Sequence, residues 1–200
     1  MDIVLIRHGQ TESNRDMRYL GRTDEPLSKE GAEKAAAAGC FPGMETVFVS
    51  PMLRARQTAE ILFPNAVQRV YEDLREMDFG DFEGRAVSEL SNDPAYNAWI
   101  ASNCTLPCPG GENPTDFAAR CRKGFCKAVA DAAAERLERA IFVLHGGVIM
   151  NLMCAFADRE KPFFEWFIKN CACFCASLDP ETFRKTQTFS SWAGPEKLSL

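Results

Sequence analysis

The chain has 2 histidines, and both stand between an apolar run and a glycine. His8 follows Ile3-Val4-Leu5-Ile6 and Arg7 and precedes Gly9; His145 follows Ala140-Ile141-Phe142-Val143-Leu144 and precedes Gly146-Gly147. A third apolar run, Thr46 to Val49, leads into Ser50-Pro51 and then Arg54 and Arg56. Imidazole is a nucleophile at neutral pH, where an alcohol is not, and it can carry a phosphoryl group. Arginine's planar fork binds two oxygens of that group at once, and a second imidazole can donate to another. Arg7, His8, Arg54 and His145 therefore suit phosphoryl transfer, provided that the fold gathers them. The plainer account is two satisfied core histidines and arginines that reach solvent, and solvent is the expectation for Arg56.

Gathering them depends on the elements alongside. Short apolar runs rich in β-branched residues read as buried strands. Ligands of open α/β sheets sit outside the carboxyl ends of the strands, so neighbouring parallel strands would bring both imidazoles to one edge. Ser50 is a good N-cap and Pro51 a good first helical residue, which predicts a helix from Pro51 to about Phe63. Arg54 and Arg56 then lie near the positive end of its dipole, where cations are disfavoured. A local rule broken without visible compensation points to a site, and Arg54 is the better placed of the two.

Elsewhere, Thr11 to about Tyr19 reads as a short helix or ordered loop, and Gly21 to Pro26 as a turn-rich linker. Leu27-Ser28 caps a helix from Lys29 to about Ala38 that Gly39 ends, and Val67 to Val70 is a short strand. Tyr71 to Gly84 is acidic and irregular, with Phe79 and Phe82 to pin it to the body. Arg85 to about Ala101 reads as a helix and Asn103 to Pro114 as a loop. A long helix from about Thr115 to Leu137 follows, with Thr115 or Asn113 as its cap. The apolar stretch Gly147 to Phe156 is a helix behind His145, so its first N–H groups are placed to face an anion. Cys171 to Leu178 and Phe183 to Phe189 read as two strands about a turn at Asp179-Pro180, and the residues from about Ala193 as a loose tail. Strands alternating with helices predict an α/β fold, a three-layer α/β/α sandwich with a mostly parallel central sheet. One domain over 1–200 is expected, with about 71–114 as an acid loop and insertion covering the site.

A net charge of −5 argues against a nucleic-acid surface and makes a local group of Arg7, Arg54 and Arg22 stand out as a focused anion site. No apolar run reaches the ~18 residues of a membrane span. With no signal peptide before the first strand, the 9 cysteines are expected as reduced thiols in a cytoplasm. Cys171, Cys173 and Cys175 would share a strand face; lacking a C-x-x-C pair or a nearby histidine, they are expected to pack and not to bind metal. Neither metal nor cofactor is expected, and both a monomer and a homodimer remain open.

These residues resemble the histidine phosphatase superfamily, the phosphoglycerate mutase-like proteins. The resemblance rests on Arg7-His8-Gly9 with Gln10, Thr11 and Asn14, on Ser50-Pro51 with Arg54 and Thr58, and on His145-Gly146. Gly21-Arg22-Thr23-Asp24, Pro26-Leu27-Ser28, Glu30-Gly31, Leu74-Arg75-Glu76 and Gly80, Glu83 and Gly84 extend it in family order over most of the chain. The acidic segment and compact length are most similar to the phosphatase branch that includes α-ribazole phosphatase. The resemblance implies His8 as nucleophile, Arg7, Arg54, His145 and Gly146 as the phosphate pocket, and Gln10 and Asn14 as supporting contacts.

Phosphoryl transfer to water also needs a group that protonates the leaving oxygen and later takes a proton from water. The acidic segment offers Glu72, Asp73, Glu76, Asp78, Asp81 and Glu83, and spacing does not choose among them; the resemblance implies Glu76. No Lys or Arg lies between Arg85 and Arg120 to hold a second phosphate or carboxylate, which favours hydrolysis over mutase transfer. Trp99, Tyr96 and Phe82 offer an aromatic wall to a leaving group, with ordinary packing as the plainer account. The expected activity is metal-independent hydrolysis of a small phosphate ester. Phosphoglycerate mutase-type transfer, a non-catalytic phospholigand protein and metal-assisted hydrolysis through the acidic loop are the alternatives.

Overall fold

The computed structural model describes residues 1–158 and 160–198. Six strands form one sheet: β1 (Asp2–Arg7), β2 (Thr46–Val49), β3 (Val67–Val70), β4 (Arg139–Leu144), β5 (Ala172–Ser177) and β6 (Ser191–Lys197), in the order β3-β2-β4-β1-β5-β6. The pairs β3–β2, β2–β4 and β4–β1 are parallel, whereas β5 and β6 add antiparallel at one side. The helices are α1 (Glu12–Arg15), α2 (Lys29–Ala38), α3 (Leu53–Leu62), α4 (Val87–Leu90), α5 (Pro94–Ala101), α6 (Pro114–Ala134), α7 (Gly146–Phe156) and α8 (Pro180–Thr186).

The central strands are apolar throughout because both of their faces are covered. Ile3, Leu5, Phe48, Phe142 and Leu144 point to the layer of α6 and α7, against Phe125, Leu152 and Phe156. Val4, Ile6, Val47, Val49, Ile141 and Val143 point the other way, against Ala55, Ala59 and Leu62 of α3. Alternation along a strand thus builds two cores and the expected three layers. Arg7 stands opposite Leu144 and Val49 opposite Val143, so His8, Ser50 and His145 all emerge at one edge of the sheet. Among the described residues, no helix is long and apolar enough to cross a membrane.

Four elements differ from the sequence expectation. The helix expected over Arg85 to Ala101 is two, α4 and α5. Pro94 lacks the N–H that a continuous helix needs and instead starts α5, capped by the Asp93 side chain on Ala95 N at 3.0 Å. Residues Phe183 to Phe189 are not a strand. Asp179 accepts from Thr182 N at 2.9 Å with Pro180 behind it, so the pair read as a turn is the start of α8. The partner of β5 is β6, which takes in the residues expected as a loose tail up to Lys197; as an edge strand it tolerates Pro195. Ser50 does not cap α3. That helix starts at Leu53, whose N–H is met by Asp24 Oδ1 at 2.7 Å. The long helix does use Asn113, which accepts from Thr115 N at 2.8 Å. Cys173 and Cys175 share the α3 face of the sheet, while Cys171 lies in the preceding turn at φ +58°.

Candidate active site

His8 Nδ1 lies 2.7 Å from the carbonyl oxygen of Gly9. A carbonyl only accepts, so Nδ1 carries the hydrogen and Nε2 keeps its lone pair. The His145 ring stands edge-on with centroids 5.1 Å apart. Its Nε2 is 2.6 Å from Ser50 Oγ. In the tautomer where Ser50 donates to Nε2, Nδ1 bears the hydrogen of His145, and that nitrogen is buried without a partner. Arg54 is fully buried, with Nη1 and Nη2 donating to the carbonyls of Thr23 (2.9 Å) and Gly21 (2.8 Å). Arg7 Nη1 donates to the Ile168 carbonyl at 2.7 Å. The Nε of both arginines is buried and unpartnered. The two guanidinium Nε–H groups, joined in that tautomer by His145 Nδ1–H, are unsatisfied donors beside a free imidazole lone pair and form a site for an anion.

Burial and the charges of Arg54 and Arg7 hold the His8 imidazole well below its ordinary pKa of 6.5, and burial with the same two cations and His8 does so for His145. Both rings are therefore neutral in the fold under conditions that protonate them in the unfolded chain. The unfolded state binds the extra protons, so stability is present above about pH 6.5 and is lost as pH falls toward the lowered folded values. The expected slope approaches ~1.4 kcal/mol per histidine per pH unit in that window. Thermal unfolding between pH 8 and pH 5 measures it, and a flat Tm across that range would contradict buried neutral rings.

Glu76 closes the other side. Its Oε2 accepts from Gly147 N at 2.9 Å and its Oε1 from Met77 N at 3.0 Å. Burial raises its pKa above the usual carboxyl range, opposed by those two N–H bonds and by Arg54 and Arg7. The first N–H groups of α7, expected to face an anion, are thus partly taken, since Gly147 serves this carboxylate. Gly146 has its bare α-carbon against the guanidinium of Arg7, with 3.5 Å from the place of a Cβ to Arg7 Cζ.

Several positioning groups lie outside the sequence expectation. Glu83 gathers the loop that holds Arg54: its carboxylate accepts from Gly21 N (3.2 Å), Arg22 N (2.9 Å) and Thr23 Oγ1 (2.8 Å). Gly21 has to be glycine, because a Cβ there would stand 1.8 Å from the Met77 carbonyl oxygen. Arg120 donates to the carbonyls of Asp73, Arg75 and Glu76 and pairs with Glu112, which fixes the segment bearing Glu76. Asn170 Nδ2 donates to the His8 carbonyl at 2.9 Å, and Thr58 Oγ1 accepts from Gly9 N at 2.8 Å. Of these, Glu83 stood among the candidate acids and Thr58 among the matched residues without a role; for Arg120 and Asn170 the sequence carries no local signal. Glu83→Ala is expected to lower kcat/KM about 10–100-fold by releasing Arg54, the scale of a small misplacement of a binding group. Steady-state kinetics with a circular-dichroism control for folding would check it, and unchanged kinetics would remove Glu83 from the site's support.

Arg7, His8, Arg54, His145 and Glu76 come together. Gln10 contributes through its backbone, whose carbonyl accepts from Ser28 N at 3.0 Å; its side chain has no partner among the described residues. Asn14 completes the capping box of α1 with Thr11 and takes Asn170 Nδ2 at 3.2 Å. Arg22 stays outside the cluster, exposed and paired with Asp78 at 3.4 Å. Arg56 is exposed, as expected. Beside Glu76 and Gly147 opens a cleft of about 610 Å³ whose walls include Trp99, Phe79 and Phe163. Tyr96 and Phe82 do not line it; they pack behind, with ring centroids 5.5 Å apart.

The sequence model of the histidine phosphatase superfamily (branch 1) matches residues 3–189. A 2,3-bisphosphoglycerate-dependent phosphoglycerate mutase of Methylocella silvestris is 30% identical, over 80% of this chain and 82% of its own. A glucosyl-3-phosphoglycerate phosphatase of Mycobacterium tuberculosis is 34% identical, over 82% and 78%. Among solved structures, a candidate alpha-ribazole-5'-P phosphatase from Escherichia coli superposes with a TM-score of 0.72 at 25% identity, covering 88% of this chain and 89% of that one.

Proposed function

The chain belongs to the histidine phosphatase superfamily, and from that premise we propose that it is a metal-independent phosphomonoesterase acting on a small-molecule phosphate ester through a phosphohistidine on His8. The observation that carries the reading is the His8 ring itself: Nδ1 is tied to the Gly9 carbonyl, and Nε2 is free beside the unpartnered donors of Arg7, Arg54 and His145.

In the first half-reaction the Nε2 lone pair attacks phosphorus and the ester P–O bond breaks. Glu76, whose hold on a proton its burial strengthens, gives that proton to the departing alkoxide. Arg7, Arg54 and His145 Nδ1–H bind the equatorial oxygens; such fixed donors stabilise spread charge without reorganising. The Gly9 carbonyl keeps Nδ1–H in place while Nε2 carries phosphate. In the second half-reaction Glu76, now ionised, takes a proton from water. That water attacks phosphorus, the P–N bond breaks, and its electron pair returns to Nε2. The positive charge that a metal would supply is provided by two guanidinium groups.

Hydrolysis is favoured over mutase transfer because residues 86–119 hold no Lys or Arg to bind a second phosphate or a carboxylate. α-Ribazole 5′-phosphate is one substrate compatible with this reading, and a cytoplasmic location is part of it. The test is turnover of an aryl phosphate in excess chelator with acid quench. Activity retained, with a phosphoenzyme that is labile in acid and stable in base, is expected. Activity lost to the chelator and restored by Mg²⁺ would instead favour hydrolysis through the acidic loop.

A further inference from the structure

Resting on the hydrolase reading, we propose that the cleft beside Glu76 receives the alcohol half of the substrate, and that this alcohol carries a bulky apolar, ring-bearing body and no second phosphate. The cleft shares Glu76 and Gly147 with the phosphate-facing cluster, so whatever leaves with Glu76's proton leaves into it. Its volume of about 610 Å³ is that of a site for a ring-bearing small molecule and far exceeds what a methyl or glyceryl group fills.

The wall chemistry selects the occupant. Phe79, Trp99, Ile100, Phe117, Met150 and Phe164 present aromatic and aliphatic surface. Several of the polar lining groups are committed within the protein, and those that are not, Asn103, Thr115 and Arg122, are exposed at its edge. Asn151 Nδ2 donates to the Gly147 carbonyl at 3.0 Å, Thr105 Oγ1 donates to the Ser102 carbonyl at 2.7 Å, and both Glu76 oxygens accept main-chain N–H. A polyol would leave hydroxyls unmatched on such a surface, which costs more than a missing methylene does. Arg122 is the sole Lys or Arg on the described lining, and it is solvent-exposed, so a second phosphate there would meet one screened cation and none of the buried donors that hold the first. The mouth is apolar as well. Phe164 is 55% exposed and Ile100 44%, large hydrophobic side chains left in water at the rim of a cleft that already has a chemical purpose.

The test separates the cleft from the chemistry. Naphthylmethylphosphonate and methylphosphonate, which do not turn over, are compared by calorimetry. Naphthylmethyl phosphate and methyl phosphate, both with alkyl leaving groups, are compared by kcat/KM. The naphthyl phosphonate is expected to bind about 100-fold more tightly or better, from burial of its ring. Phe164→Asp, at a rim position that folding does not require, should shrink the naphthyl-to-methyl ratio about tenfold in both measurements. Equal binding of the two phosphonates overturns the assignment, even where His8-dependent hydrolysis proceeds. A naphthyl preference in binding without turnover of either ester upholds the cleft and removes the hydrolase reading. Failure of both phosphonates to bind and of both esters to turn over overturns both.

Discussion

Replacing His8 with alanine is expected to reduce turnover of any phosphate ester by about 10⁴-fold or more, because the covalent route disappears with the imidazole placed among the cationic donors. The anion pocket itself survives the change. Arg7 is held by the Ile168 carbonyl, Arg54 by Thr23 and Gly21, and His145 by Ser50. Phosphate should therefore still bind to the variant, and loss of kcat should far exceed any change in affinity. Rapid-quench labelling supplies the second readout: the acid-labile adduct of the wild type should be absent. A loss of only a few-fold would exclude His8 as the nucleophile. Binding without turnover in the wild type would identify a phospholigand sensor built on the same cluster.

The second large effect falls on Glu76. Glu76→Gln keeps the size and the acceptor for Gly147 N–H but has no proton to give, so kcat for alkyl esters is expected to fall about 10²–10⁴-fold. Phosphorylation of His8 by an activated aryl ester needs no acid, and that step should be nearly spared. Dephosphorylation, which needs the base, should then limit the rate, and phosphoenzyme should accumulate. A single-turnover comparison of an alkyl and an aryl ester reads this directly; equal losses on both would assign Glu76 a structural role. The same substitution has a signed effect on stability. A carboxyl with a raised folded pKa lends stability below its unfolded value, 4.5, and that contribution is lost as pH rises through the folded value. Glu76→Gln removes that dependence, so the Tm of the wild type relative to the variant should fall as pH rises through the folded value.

That Arg7, His8, Arg54 and His145 belong together was legible in the sequence because their placement follows a local rule. Apolar strands announce their own ends, and Arg7, His8 and His145 stand directly at such ends. Arg54 could be found by its violation of helix-dipole preference. What escaped were groups acting through distant backbone. Glu83 organises N–H groups some sixty residues earlier, Arg120 grips three carbonyls of the acid loop, and Asn170 reaches His8 from the far side of the chain. Carbonyls and N–H groups are present at nearly every position, so no residue pattern marks which of them will be used. The remaining errors were ambiguities of local grammar. Ser50-Pro51 carries a helix-start signal, yet its hydroxyl is spent on His145 and Asp24 meets the helix. Asp179-Pro180 reads equally as a turn or a cap, and only the packing of Phe183 with Phe125 and Phe156 decides for the helix.

The sheet order has a consequence for how this protein comes into being. The strand that leads to His8 has β4 and β5 as its only partners, and both belong to the last third of the chain. A ribosome adding about 5–20 residues per second has to lengthen the chain by roughly 130 residues between finishing β1 and starting β4, an interval on the order of ten seconds. Throughout it the segment Ile3 to Ile6 has no edge to join, while β2 and β3 can already pair with each other. The nucleophile's strand is made early and seated late. A chain released before β4 would thus expose an apolar ribbon ready to join that of another unfinished copy.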